Sequence, residues 1–139
     1  MKQHQATFVT RTDGQGLYLV TREVQRIVGE AGVQLGLATV FLRHTSASLI
    51  INENADPDVP HDLQAFLARL VPDGDPLYRH IAEGPDDMPA HVKAALTATS
   101  LAIPISGGAM VLGTWQGIYL WEHRRAPHRR SIVVHVQGG

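Results

Sequence analysis

The chain has no cysteine, which removes disulfides, thiolate metal ligands and thiol nucleophiles together. Aromatic residues are scarce at 6%, and no excess of one charge exists, with 12 Lys and Arg set against 13 Asp and Glu. A net charge of −1 gives no long-range attraction to nucleic acid or to an anionic membrane, so any anion must be held by a local cluster. No run approaches the ~18 apolar residues of a membrane span. The first residues, MKQHQATFVTR, lack the apolar core of a secretory leader. These absences predict a cytoplasmic protein with neither nucleic acid nor membrane as partner. What remains, 139 residues of which 44% are hydrophobic, fits a single domain over residues 1–139 with a modest core.

The densest chemistry lies in HTSASLIINENADPDVPHD, from His44 to Asp62. A half-buried strand alternates apolar and polar residues. Here an apolar run, LATVFLR, leads directly into imidazole, hydroxyl, amide and carboxylate side chains, which marks a site. A strand continuing through His44 would place His44, Ser46, Ser48, Ile50 and Asn52 on one face.

Around this stretch the pattern predicts an α+β fold. QATFVTR and GLYLV read as two strands joined by the turn Asp13-Gly14-Gln15-Gly16, as in a hairpin. Thr21 is placed to cap a helix carrying Val24, Ile27, Val28 and Ala31, which Gly32 ends. Leu35 to Arg43 reads as a strand covered on both faces. Asp56-Pro57 opens a second helix with an apolar stripe of Val59, Leu63, Phe66, Leu67 and Leu70. Residues 71–87 form a long polar connection holding Tyr78, His80 and Glu83, and loops of this length in compact domains are commonly functional. Asp86 or Asp87 caps a third helix burying Met88, Val92, Ala95 and Leu96, with His91 one turn after Asp87 so that the carboxylate can orient the imidazole. From Ser100 the chain turns to strands: SLAIPI, AMVLGTW, GIYLWEH and SIVVHV.

The blocks HTSASLIINENADPD, EGPDDMPAH and SLAIPISGGAMVLGTWQGIYLWEHR, with the arginines that follow, resemble the YjbQ-like family, also called secondary thiamine-phosphate synthase. The similarity runs in order along nearly the whole chain. It implies a β-sandwich core of about eight strands with three short helices, a homotrimer, and a cleft holding the family's histidines. Carried over position by position, it marks His44, Ser46, Asn52, Glu53 and Asp62 in the first half. In the second half it marks His80, His91, Trp115, Gln116, Glu122, His123 and Arg124. Ala98 stands where many members have glycine. The loop from Arg124 to Arg130 lacks the glycines common there, which leaves Arg129 and Arg130 both open as the equivalent position.

Three neutral imidazoles, His44, His91 and His123, would together make an open site for zinc or another late first-row divalent ion. No HxH or HExxH spacing supports them locally, and each could instead bond a core neighbour. Glu53 is the first choice as general acid or base, and His80 is a further ligand or proton donor. Arg124, Arg130 and Lys93, with Ser46 and Asn52, are the candidates for holding a phosphorylated small molecule.

The family name implies joining a pyrimidine pyrophosphate to a thiazole phosphate, a step that normally uses Mg²⁺ and basic side chains to stabilise the departing pyrophosphate. Imidazoles suit Mg²⁺ poorly. Metal-assisted hydrolysis of a small phosphorylated metabolite, and a non-catalytic trimeric ligand-binding protein, therefore stand as alternatives.

Overall fold

The computed structural model describes residues 1–139 and contains eight strands and three helices. The larger sheet is built around the last strand, β8 (His128–Gly138), which lies antiparallel between β1 (Lys2–Thr12) and β3 (Leu35–Leu42). The β1 register runs without a break from Lys2 opposite Gly138 to Thr12 opposite His128. β5 (Ser100–Ser106) continues the sheet beyond β3, and β6 (Ala109–Met110) ends it. A second sheet has the order β2 (Gly16–Leu19), β7 (Gln116–Glu122) and β4 (Ala47–Glu53).

Alternation fills the space between the sheets. Ile132, Val134 and Val136 of β8 and Ala38, Val40 and Leu42 of β3 point inward and share one core with Leu49, Ile118 and Leu120 of the smaller sheet. α1 (Thr21–Glu30) adds Val24, Ile27 and Val28, a helical spacing that puts all three on one buried face. Burying each such side chain contributes roughly 1.5–3 kcal/mol. β3 and β8 approach so closely at Gly36 that a Cβ there would sit 2.2 Å from the Gln137 carbonyl oxygen.

Several local expectations change in the structure. β1 and β2 do not form a hairpin: β1 pairs with β8 and β2 with β7, so the Asp13–Gln15 link crosses from one sheet to the other. Gly14 makes that corner with a positive φ of 140°. Thr21 does not cap α1, because its hydroxyl accepts the Ile118 amide of β7. The strand ending at Leu42 does not continue through His44. The chain leaves the larger sheet there and re-enters as β4 in the smaller one. β3 is covered on one face only, with Leu35 and Phe41 exposed on the other.

α2 (Asp58–Leu70) buries Leu67 while Phe66 and Leu70 face solvent. α3 (Asp87–Leu96) buries Asp87, Pro89, Ala90 and Lys93, a more polar face than the apolar stripe predicts. Both carboxylates at the start of α3 turn away from capping, because each is taken up by other partners. No helix is long and apolar enough to cross a membrane.

Candidate metal centre

Asp87 opens α3 and His91 follows one helical turn later, so both side chains lie on the same face. His91 Nε2 is 3.1 Å from Asp87 Oδ2. The loop over residues 71–86 brings His80 Nε2 to 2.5 Å from the same oxygen and to 3.2 Å from Glu83 Oε2. One donor atom from each of His80, Glu83, Asp87 and His91 thus lies within 4.8 Å of the others. Asp87 is nearly fully buried, whereas His80 and Glu83 are exposed, so the group is anchored on one side and open on the other.

Arg124, just beyond β7, orients this group. Its Nη1 donates to Asp87 Oδ1 at 2.7 Å, its Nε to Asp86 Oδ2 at 3.0 Å, and its Nη2 to the Glu83 carbonyl at 2.9 Å. The Arg125 amide also donates to Asp86 Oδ2, at 2.9 Å. Asp87 therefore commits Oδ1 to the guanidinium and presents Oδ2 to the two imidazoles. Burial acts to raise its pKa, but the hydrogen bond with His80 and the Arg124 charge outweigh burial and hold the carboxyl below its ordinary value. The hydrogen bond to Asp87 in turn raises His80 above the usual imidazole value.

The proton inventory of His91 constrains what occupies the centre. Its Nδ1 lies 2.9 Å from the Thr45 carbonyl, which only accepts, so Nδ1 carries the proton. Its Nε2 then faces a second acceptor, Asp87 Oδ2. A neutral imidazole has one N–H, so this geometry requires either an imidazolium or a cation between Nε2 and the carboxylate. A ring whose Nδ1–H is fixed by a carbonyl is also the usual arrangement of a metal-ligating histidine. Two nitrogens and two carboxylates make a donor set that fits a first-row divalent ion.

The expected triad of His44, His91 and His123 is not gathered in this chain, and only His91 belongs to the group just described. His44 lines a shallow cleft with His91, but its Nε2 lone pair accepts the Ser131 amide at 2.8 Å. His123 is 2% exposed, with Nε2 2.9 Å from the Ser48 hydroxyl. Burial, reinforced by the Lys93 charge, lowers its pKa to about 3.

Of the phosphate candidates, Arg130 and Ser46 are also engaged internally. Arg130 is 3% exposed and donates through Nε to Glu122 Oε1 at 2.8 Å, and through Nη2 to Glu122 Oε2 and to Ser46 Oγ. Thr12 donates to the same glutamate at 2.7 Å. Lys93 is 3% exposed, and burial lowers its pKa against the opposing pull of Asp73.

Asn52 and Glu53 sit at the other end of β4, where the Asn52 side chain accepts the Glu53 amide and the Glu53 carbonyl accepts the Tyr119 hydroxyl. Glu53 lies roughly 20 Å along the strand from Ala47, the end nearest Thr45 and His91. Sequence reasoning gave Glu83 no role. The spacing of His80 to Glu83 and of Asp87 to His91, three and four residues, is the local signal that places it with the other ligands.

Comparison with known proteins gives one family. The model of the family described as UPF0047 protein YjbQ-like matches residues 5–139. UPF0047 protein sll1880 of Synechocystis is 56% identical over 137 residues, covering 99% of this chain and 93% of the relative. YjbQ of Escherichia coli O157:H7 is 43% identical over 136 residues, covering 97% and 98%. Among solved structures, a YjbQ/UPF0047 family protein of Clostridium acetobutylicum superposes with a TM-score of 0.83 at 41% identity, covering 96% of this chain and 98% of that one. APE1520 of Aeropyrum pernix gives 0.88 at 29% identity, covering 97% and 98%. With the match spanning almost every residue and the two-sheet fold shared, the chain belongs to the YjbQ-like UPF0047 family.

Proposed function

We propose that this protein is a divalent-metal-dependent enzyme, with His80, Glu83, Asp87 and His91 as ligands, acting on a small phosphorylated metabolite. The observation that carries this reading is the convergence of two imidazole Nε2 atoms on Asp87 Oδ2, with His91 already committed at Nδ1. An ion held there would act as a Lewis acid on a phosphate oxygen. The protein's own part is to hold Asp87 ionised through Arg124, to fix the His91 ring through Thr45, and to leave the His80 and Glu83 side accessible. The donor set favours zinc, manganese or iron over magnesium alone.

Hydrolysis is the reaction class this centre supports best. Thiamine-phosphate synthesis belongs to the same reading as a second activity. Because Arg124 and Arg130 are paired with carboxylates, departing pyrophosphate would depend chiefly on the ion, Mg²⁺ included. A cytoplasmic homotrimer is part of the proposal, and Glu53 enters the chemistry only if a neighbouring copy contributes it. Light scattering that gives a monomer mass would remove that contribution.

The test is metal content by elemental analysis after incubation with Zn²⁺ and removal of excess ion. The native chain should retain about one equivalent. Asp87→Asn and His91→Ala should lose it, whereas His44→Ala and His123→Gln should keep it. Equal retention by all five proteins, or none by the native chain, would refute the centre.

A further inference from the structure

Beside the metal ligands, the loop of residues 71–86 folds over the start of α3 and forms a half-open cavity of about 440 Å³. His80 is one of its walls. The others include Pro76, Tyr78, Ile81, Pro85 and Met88. No lysine or arginine lines it, and its one carboxylate residue, Asp75, accepts the Leu77 amide through Oδ1 in a local turn. The volume lies within the range of small-ligand sites, which run to roughly 300–1,000 Å³ and combine apolar walls with few polar groups.

A phosphoryl group entering this cavity would find no lysine or arginine to neutralise it, because its one imidazole, His80, is already paired with Asp87 and Glu83, and a cationic group would find only Asp75. An uncharged apolar group would meet two proline rings, a tyrosine ring, a thioether and an isoleucine. Ile81 is 72% exposed, so its apolar surface is available to an apolar group. The cavity and the metal ligands share His80, so a molecule whose charged end reaches the ion can place its remainder here.

We infer that the loop cavity bounded by Tyr78, Ile81, Pro85 and Met88 is the specificity subsite for an uncharged apolar part of the substrate, whose oxyanion end is held at the His80 centre. This rests on the metal-centre reading above for the oxyanion end only. The two ends separate experimentally.

In metal-free protein, the neutral probe benzamide should shift the methyl signals of Ile81 and Met88, and inorganic phosphate should not. After loading with Co²⁺, phenylphosphonate should bind about tenfold more tightly than methylphosphonate, read from the visible spectrum of the ion. Ile81→Glu, a change at an exposed position, should bring that ratio towards one. Absence of the benzamide shifts, or equal affinity for the two phosphonates, overturns the subsite. Benzamide shifts in a protein that fails to take up Co²⁺ would retain the subsite and remove the metal centre.

Discussion

At Asp87 a single carboxylate divides its work between two oxygens, one answering to Arg124 and one to the imidazoles. Arg124 touches no substrate in this arrangement and is a positioning residue. Arg124→Gln should therefore weaken metal affinity by about 10–100-fold, the usual cost of removing an outer partner. It should do so without abolishing binding, which titration with a competing chelator will measure.

His123 makes a different prediction. An unfolded chain protonates it near pH 6.5 and the folded chain only near pH 3, so the unfolded state binds more protons across that interval. Stability contributed by keeping His123 neutral is thus intact above pH 6.5 and declines as the pH falls. The loss at pH 5 amounts to about 2 kcal/mol. Urea unfolding at pH 7 and pH 5 should show it, and His123→Gln should flatten the difference.

At the scale of elements, the pair of Glu122 and Arg130 joins the two sheets, since Glu122 belongs to β7 and Arg130 to β8. Removing one buried partner strands the other charge, at about 3–5 kcal/mol. Arg130→Ala should lower the urea midpoint accordingly, and adding Glu122→Leu to Arg130→Met should recover much of the loss. A purely substrate-binding arginine would leave the midpoint unchanged.

The contrast explains what was legible in the sequence. Strand and helix periodicities declare themselves locally, and so does the four-residue step from Asp87 to His91. The fate of Arg124 and Arg130 does not, because their carboxylates arrive from elsewhere in the fold, Asp86 just before α3, Asp87 at its first position and Glu122 on β7. Likewise no local feature says that β1 and β2 enter different sheets, since a Gly-containing turn serves a hairpin and a corner equally well. The break after Leu42 was hidden by the polar residues that look like one face of a continuing strand.

For the whole molecule, the candidate centre ties loop 71–86 to α3 and, through Thr45, to the passage between the sheets. Ion binding to the folded state alone raises stability by mass action, about 2.7 kcal/mol at a hundredfold excess over Kd. Calorimetry should show Zn²⁺ raising Tm by roughly 5–10 °C in the native chain, with no rise in Asp87→Asn. An equal rise in both would place the ion elsewhere.

The order β1-β8-β3-β5-β6 also sets a timetable. β8 is the last strand in chain order and the only hydrogen-bonded neighbour of β1 in its sheet, so β1 emerges from the ribosome well before its partner exists. The smaller sheet, by contrast, has all three strands available once β7 has appeared. Nascent chains should therefore be protease-sensitive at β1 until synthesis passes β8, and folding should be slow for the chain's size, because its most extensive strand pairing spans the greatest sequence separation.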